Sequence, residues 1–345
     1  MSSPIPIQNV YYLLCYAWNR WEEGQSVEVA SVESNELVDL LAHVLIAGTR
    51  SVLRRGLDRG YVEHAEDRSA LRGKIDFAVT TKRALLRSAR AHCRFDDLSH
   101  DVLHNRILRT TIGNLRRTSG VDPALRDGLE VLHRQLDPIA EIRLTSSLFG
   151  RVQLHRNNAS YDLLMRICEL VHASLLMHEG PGEHRFIEFV RDEAVMAAIF
   201  EEFVRNFYAR EQRRFNVSDV WLDWDGESLD DASRVALPKM HTDVTLVSKD
   251  RVIIMDTKYY VEMLKGRFDV EKARSGHLYQ LFAYLRNGER RGGPWVASDG
   301  ILLYPSVGRE IDLRYDIQGH RVRLCTVNLD QPWQGIDERL LELIA

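Results

Sequence analysis

The chain has 345 residues, 45% of them hydrophobic and 28% charged, the proportions of a soluble globular protein long enough for about two domains. With 46 Lys and Arg against 50 Asp and Glu the net charge is −4, so no global basicity advertises nucleic acid; DNA affinity has to come from local cation clusters or from a partner. Four scattered cysteines without a CxxC pair argue against a zinc site or a disulfide framework, and no run suits a membrane span or a secretory leader, so a cytoplasmic location with no membrane association is expected.

Ile5 to Trp18 starts extended around Pro6 and is expected to turn helical from about Asn9, taken as the N-cap. Asn35 to Arg55 carries Leu37, Leu40, Leu41, Val44 and Leu45 at helical spacing, with Arg50, Arg54, Arg55 and Arg59 toward its C-terminal end, where cations complement the helix dipole. Leu71 to Phe77 reads as a strand that places Arg72 and Lys74 on one face. Lys82, Arg83, Arg87, Arg90 and Arg94 follow without an acidic residue, at spacings that would make one stripe of a helix; a solvated face is the commoner origin of such a run, but this one suits phosphates or an acidic partner. Further helices are expected over Asp101 to Arg117 and Tyr161 to Met177. The loop-like interval Gly150 to Ser160 sets an expected boundary between domains 1–155 and 156–345, and His178 to Glu183 is a second break.

In the second half, Glu193 to Arg210 is a strongly amphipathic helix, on which Val195, Ile199, Phe203 and Phe207 recur at four-residue spacing. By angular position Glu202 flanks its apolar face and Glu193 lies near the opposite edge, whereas Glu201 points away. Val244 to Val247 and Val252 to Met255 flank Ser248-Lys-Asp-Arg251, an antiparallel hairpin by pattern. If Ser248 and Arg251 close the turn, Asp243 stands opposite Asp256 with Cβ atoms about 5 Å apart, a repulsive pair unless a cation lies between them. A hard divalent ion such as Mg²⁺, which takes one or two carboxylates plus waters, answers that need. Lys258 shares the face of Asp256 and is placed to position or deprotonate a water, or to stabilise charge on a transferring phosphoryl group. Downstream, His277, Gln280 and Tyr284 form a polar helix stripe, and Gly300 to Pro305 and Arg323 to Leu329 are strands. Helix, hairpin, helix and strand in this order predict an α/β (α+β) fold with a mixed sheet flanked by helices.

Asp-x-Lys is common on solvated strands, so the pattern gains its force from its surroundings. Asp243 followed by Asp256-Thr-Lys258 resembles the PD-(D/E)xK nuclease signature, with Thr242 where a Pro would stand, and Gln280-x-x-x-Tyr284 resembles the supporting element of its RecB-like branch. Asn9-x-Tyr-Tyr, Gly73-x-Ile-x-Phe77, Asn105-Arg-Ile-Leu108, Asp256-Thr-Lys-Tyr-Tyr260, Tyr304-Pro305 and Leu324-Cys-Thr-Val-Asn-Leu329 together resemble the McrC family, nuclease subunit of the McrBC modification-dependent restriction system. The resemblance implies an N-terminal domain that docks into and stimulates an McrB-like AAA+ GTPase ring, with Arg72 and Lys74 as candidate contacts. It also implies a C-terminal endonuclease domain that cuts methylated double-stranded DNA with Mg²⁺. Asp243 and Asp256 would hold the metal, Lys258 would act on the attacking water, and Gln280, Tyr284, Glu202 or Glu193 would support them. Two competing readings are a self-sufficient repair or recombination nuclease and an adaptor that only activates an NTPase ring.

Overall fold

A computed structural model of the chain describes residues 5–21, 36–176, 179–180, 183–186, 189–227, 229–230, 233, 236–260, 275–308 and 310–345. Asn35 and His178, which begin two of the segments read above, lie outside them. The chain divides into two compact units, residues 1–40 with 188–345 and residues 41–187. This differs from a cut at residue 155. The first helix belongs with the C-terminal unit, and residues 156–187 belong with the other, because the apolar faces in question are buried there.

The first helix, α1 (Ile7–Ala17), starts two residues earlier than expected, with Pro6 rather than Asn9 as its N-cap. Asn9 is buried within the helix, where its amide donates to the carbonyls of Leu329 and Gln331, both at 2.8 Å. A side chain that reads as a cap is thus used for a long-range tie. α2 (Leu37–Arg55) leads into the second unit.

There β1 (Gly60–Arg68), β2 (Lys74–Ile75) and β3 (Ala91–Ser99) form an antiparallel sheet in the order β1-β3-β2. Its core is small: Ala91, Cys93 and Phe95, with Ile75 against them. Gly73 has φ +66°, and a Cβ there would lie 2.3 Å from the Arg94 carbonyl oxygen, so the approach to β2 requires glycine. The strand stops at once, because the Asp76 carboxylate caps α3 (Phe77–Lys82), accepting from Val79 N at 3.0 Å. The expected cationic helix stripe does not exist. Ala84 and Ala89 take φ near +50°, bracket a single 3-10 turn at Leu85–Ser88, and send the chain into β3. The remainder is largely helical. α4 (Leu103–Arg117) packs against α5 (Pro123–Gln135) and, beyond the short α6 (Ser146–Phe149), against α7 (Asp162–Leu176). The short strands β4 (Thr118–Ser119), β5 (Glu179–Gly180) and β6 (Glu183–Arg185) join in one further small sheet.

Back in the first unit, Asp192 caps α8 (Glu193–Glu211) by accepting from Ala194 N and Val195 N. α8 packs on α1 and along a six-stranded mixed sheet. That sheet contains β7 (Asn216–Ser218), and β8 (Trp221–Leu222) and β9 (Met240–His241) pair beside it. The hairpin of β10 (Val244–Val247) and β11 (Val252–Thr257) follows, then α9 (Ser275–Gly288), β12 (Asp299–Ser306), β13 (Asp312–Ile317), β14 (His320–Asn328) and α10 (Trp333–Ile344). The strand order is β13-β14-β12-β11-β10-β7, with β11, β12 and β14 parallel and the outer pairs antiparallel. Parallel neighbours need a crossover, and α9 supplies it between β11 and β12. Gly300 lets it lie close: a Cβ there would come within 2.9 Å of Leu285 and 3.0 Å of Leu281. Ile254, Leu281, Tyr284, Leu285, Leu302 and Tyr304 share the core beneath α9.

Candidate active site

The hairpin closes as its sequence dictates. Ser248 N donates to the Arg251 carbonyl at 2.8 Å, and the ladder runs from Val247 opposite Val252 to Val244 opposite Met255. One further step brings Asp243 level with Asp256. Side chains alternate along β11, so Ile254, Asp256 and Lys258 share the face that α9 covers. The backbone of Lys258 extends the parallel pairing, donating to the Leu303 carbonyl at 3.0 Å.

Asp256 is fully buried, and neither of its oxygens receives a hydrogen bond from the described residues. Lys258 Nζ stands 2.8 Å from Asp256 Oδ2, an ion pair that serves one oxygen and leaves Oδ1 without a partner among the described residues. Burial, and then the neighbouring Asp243, push the Asp256 carboxyl up to about 7 against the pull of Lys258. Burial alone would lower the Lys258 ammonium; Asp256 and Asp243 beside it win and hold it above the usual lysine range. Asp243 is anchored at one oxygen: its Oδ2 accepts from Thr257 N at 2.8 Å and from Thr257 Oγ1 at 3.0 Å.

A third carboxylate approaches from α8, and it is Glu201, which the angular reading turned away. Its side chain is 33% exposed and takes a hydrogen bond from Arg205 Nη1 at 3.2 Å; the same nitrogen donates to the Asp243 carbonyl at 3.2 Å. Burial and then Asp243 raise its pKa, and Glu201 in turn contributes to raising Asp256. Glu202 bonds the other Arg205 nitrogen at 2.5 Å and is the more exposed of the two, at 47%. Glu193 lies exposed in the first turn, eight residues from Glu201 and thus about 12 Å along the axis. The carboxylates expected from the sequence on this helix are Glu202 and Glu193; the one whose charge acts on Asp243 and Asp256 is Glu201. α8 buries a broad arc, Met196, Ile199, Phe200, Phe203, Val204, Phe207 and Tyr208, so its apolar pattern leaves its rotation loosely fixed.

From above, α9 presents Gln280 and Tyr284. Gln280 Nε2 donates to the Tyr284 hydroxyl at 2.7 Å, and Tyr284 is buried. Burial raises the Tyr284 phenol, and Asp256 and Asp243 raise it further, which brings this pair into the electrostatics of the carboxylates. Arg72 and Lys74 belong to the other unit. Arg72 is spoken for, paired with Asp97 at 3.1 Å and lying 4.6 Å above the Phe95 ring, whereas Lys74 is exposed and stands opposite Arg94 in the register.

A divalent cation fits this donor set. Unbonded, buried carboxylate oxygens on Asp256 are costly in the absence of a positive partner, and one lysine does not satisfy them. The fit is to a hard ion held by one or two carboxylates and completed by water; no group of three His, Cys, Asp or Glu among the described residues is arranged to hold a metal. Those described residues also contain no helix long and apolar enough to cross a membrane.

The family model described as the McrBC 5-methylcytosine restriction system component matches residues 8–305. A relative from Escherichia coli (strain K12), the "Type IV methyl-directed restriction enzyme EcoKMcrBC", is 34% identical over 349 residues, which span 99% of this chain and 98% of the relative. The fold is similar to a chain in the refined half-complex from the tetradecameric assembly of Thermococcus gammatolerans McrB AAA+ hexamers with bound McrC. There the TM-score is 0.57 at 19% identity, covering 99% of this chain and 76% of that one.

Proposed function

The chain belongs to the McrBC family of 5-methylcytosine restriction system components, and from that premise we propose that it is the DNA-cleaving subunit of such a system, working with an McrB-like AAA+ GTPase ring. The observation that carries the nuclease reading is the buried Asp256 with unsatisfied oxygens, level with Asp243 and paired with Lys258. An adaptor that only activates an NTPase has no use for a buried charge cluster of this kind, which costs stability.

Asp243 and Asp256 would hold Mg²⁺, with Glu201 the nearest further carboxylate. The ion, when bound, supplies Lewis-acid polarisation of the scissile phosphate. Lys258 offers a fixed positive charge at a partly buried position, where it orients the attacking water and stabilises charge developing on the phosphoryl oxygens. Gln280 locks the Tyr284 hydroxyl, so α9 holds a rigid polar roof over these groups. Partner docking is assigned to the unit of residues 41–187. Beyond Arg72 and Lys74, its best-equipped surface is α3 with the turn that follows it, where Phe77 and Leu86 are 71% and 69% exposed and two alanines hold left-handed backbone. Net charge of −4 agrees with DNA affinity borrowed from the ring.

The test is cleavage of a plasmid carrying 5-methylcytosine by the purified chain, with and without its ring partner and GTP, in Mg²⁺ or EDTA. Cutting that needs both partner and Mg²⁺ supports the reading. Cutting by the chain alone points to a self-sufficient nuclease, and stimulated GTP hydrolysis without cutting under any condition leaves only the adaptor.

A further inference from the structure

Beside Gln280 and Tyr284, α9 carries a third polar residue one turn nearer its N-terminus, His277, and both nitrogens of its ring are engaged. Nε2 lies 2.9 Å from the Tyr260 hydroxyl and Nδ1 lies 2.9 Å from the Tyr304 hydroxyl. The Tyr260 and His277 rings are close to parallel, 14° apart with centroids at 5.6 Å. Both tyrosines are placed by the sheet. Tyr260 follows Lys258 by two residues, just beyond the end of β11. Tyr304 lies on β12, where Asp256 pairs with Leu302 and Thr257 with Leu303, so the next step of the same parallel register sets Tyr304 beside Lys258. Tyr304 is almost wholly buried. Tyr260, two residues along the chain, and Tyr304, one register step across the ladder, thus occupy the backbone positions next to Lys258, and one imidazole ties both to the helix above.

We propose that His277 is a positioning residue for Lys258: by fixing the hydroxyls of Tyr260 and Tyr304, at the backbone positions next to the lysine, it holds the ammonium in register with Asp256. A flexible four-carbon side chain loses much rotamer freedom when fixed, and neighbouring aromatic side chains that cannot turn reduce the conformations it has to give up at the moment of reaction. The tie is directional. A neutral imidazole donates from one nitrogen and accepts at the other, so one tyrosine gives its proton to the ring and the other receives one. Phenylalanine at 277 keeps the stacking and removes both bonds; glutamine keeps an amide able to donate at one end and accept at the other.

This inference rests on the reading of Asp243, Asp256 and Lys258 as the cleavage site, and its test separates the two. His277→Phe, His277→Gln, Tyr260→Phe, Tyr304→Phe and the double variant His277→Phe/Tyr304→Phe are assembled as full chains with the ring partner. Each is measured for single-turnover cutting of the methylated plasmid in Mg²⁺, for DNA affinity, for stimulated GTP turnover and for melting temperature. The expected result is a loss of roughly 10- to 100-fold in the cutting rate for His277→Phe, as for other groups that orient a catalytic residue. DNA affinity and GTP turnover stay unchanged, His277→Gln restores part of the rate, and the double variant is no slower than His277→Phe alone because the bond is already gone. Wild-type cutting by His277→Phe, or a loss that falls equally on cutting and GTP turnover, overturns the role. If His277→Phe does not fold, the single-oxygen deletions decide: slower cutting by Tyr304→Phe and Tyr260→Phe with intact GTP turnover supports it, and normal cutting by both rejects it. Asp256→Asn serves as the control, since undiminished cutting by that variant would remove the site itself.

Discussion

At the scale of single residues, Asp256 makes the sharpest thermodynamic statement. In the folded chain its carboxyl titrates at about 7, whereas an unfolded aspartate titrates near ~3.9. The native state thus binds the proton more tightly. The stability this contributes is complete below the unfolded pKa and is lost as pH rises through about 7. At about 1.4 kcal/mol per unit the swing amounts to up to roughly 4 kcal/mol. Melting of wild type and Asp256→Asn in EDTA should therefore diverge, the variant gaining on wild type between about pH 4 and about pH 8; curves that stay parallel would show that Asp256 is not held against its charge. The carboxylates of α8 separate in the same way. Glu201→Gln should slow plasmid cutting by roughly 10- to 100-fold and Glu202→Gln should leave it near wild type, because Glu201 has its charge coupled to Asp243 and Asp256 and Glu202 is the more exposed of the two. Equal rates in single-turnover assays would return Glu201 to a purely structural contact with Arg205. Gln280→Ala should cut more slowly yet detectably, having lost only the bond that locks Tyr284.

At the scale of elements, what could be read from the sequence depended on how locally each feature is determined. The β10–β11 register was legible because a polar four-residue turn fixes it, and with a period of two it decides which residues share a face. The mixed sheet followed from the order of helices and strands. Glu201 was not legible, since the helix rotation that brings it inward comes from packing on both the sheet and α1. The segment from Lys82 to Arg94 misled for another reason. Charge spacing suggested a helix, but the Asp76 cap, the two left-handed alanines and the pairing of β3 with β1 win locally, and Arg83 and Arg94 go to Asp67 and Asp76. Leu86 in that break and Phe77 at the start of α3 are both exposed. Phe77→Glu and Leu86→Glu should weaken association with the ring by roughly 10-fold or more, visible as lost GTPase stimulation, with little change in melting temperature because the side chains are exposed. Full stimulation by both variants would move the docking surface elsewhere in residues 41–187, and Arg72→Glu with Lys74→Glu is the next pair to try.

At the scale of the whole molecule, the two units carry different burdens. One holds a buried, partly unsatisfied charge cluster beneath α9; the other has a small sheet core and exposed apolar side chains beside cations. The first arrangement suits hard-metal phosphodiester chemistry and the second suits a protein partner, so cutting and stimulation should be separable by mutation. The most direct measurement follows both in one reaction: the assembled complex of Asp256→Asn with its ring, methylated plasmid, GTP and Mg²⁺, against wild type. The account predicts GTP turnover at the wild-type rate with the plasmid left intact. Plasmid cut at the wild-type rate by Asp256→Asn would contradict it.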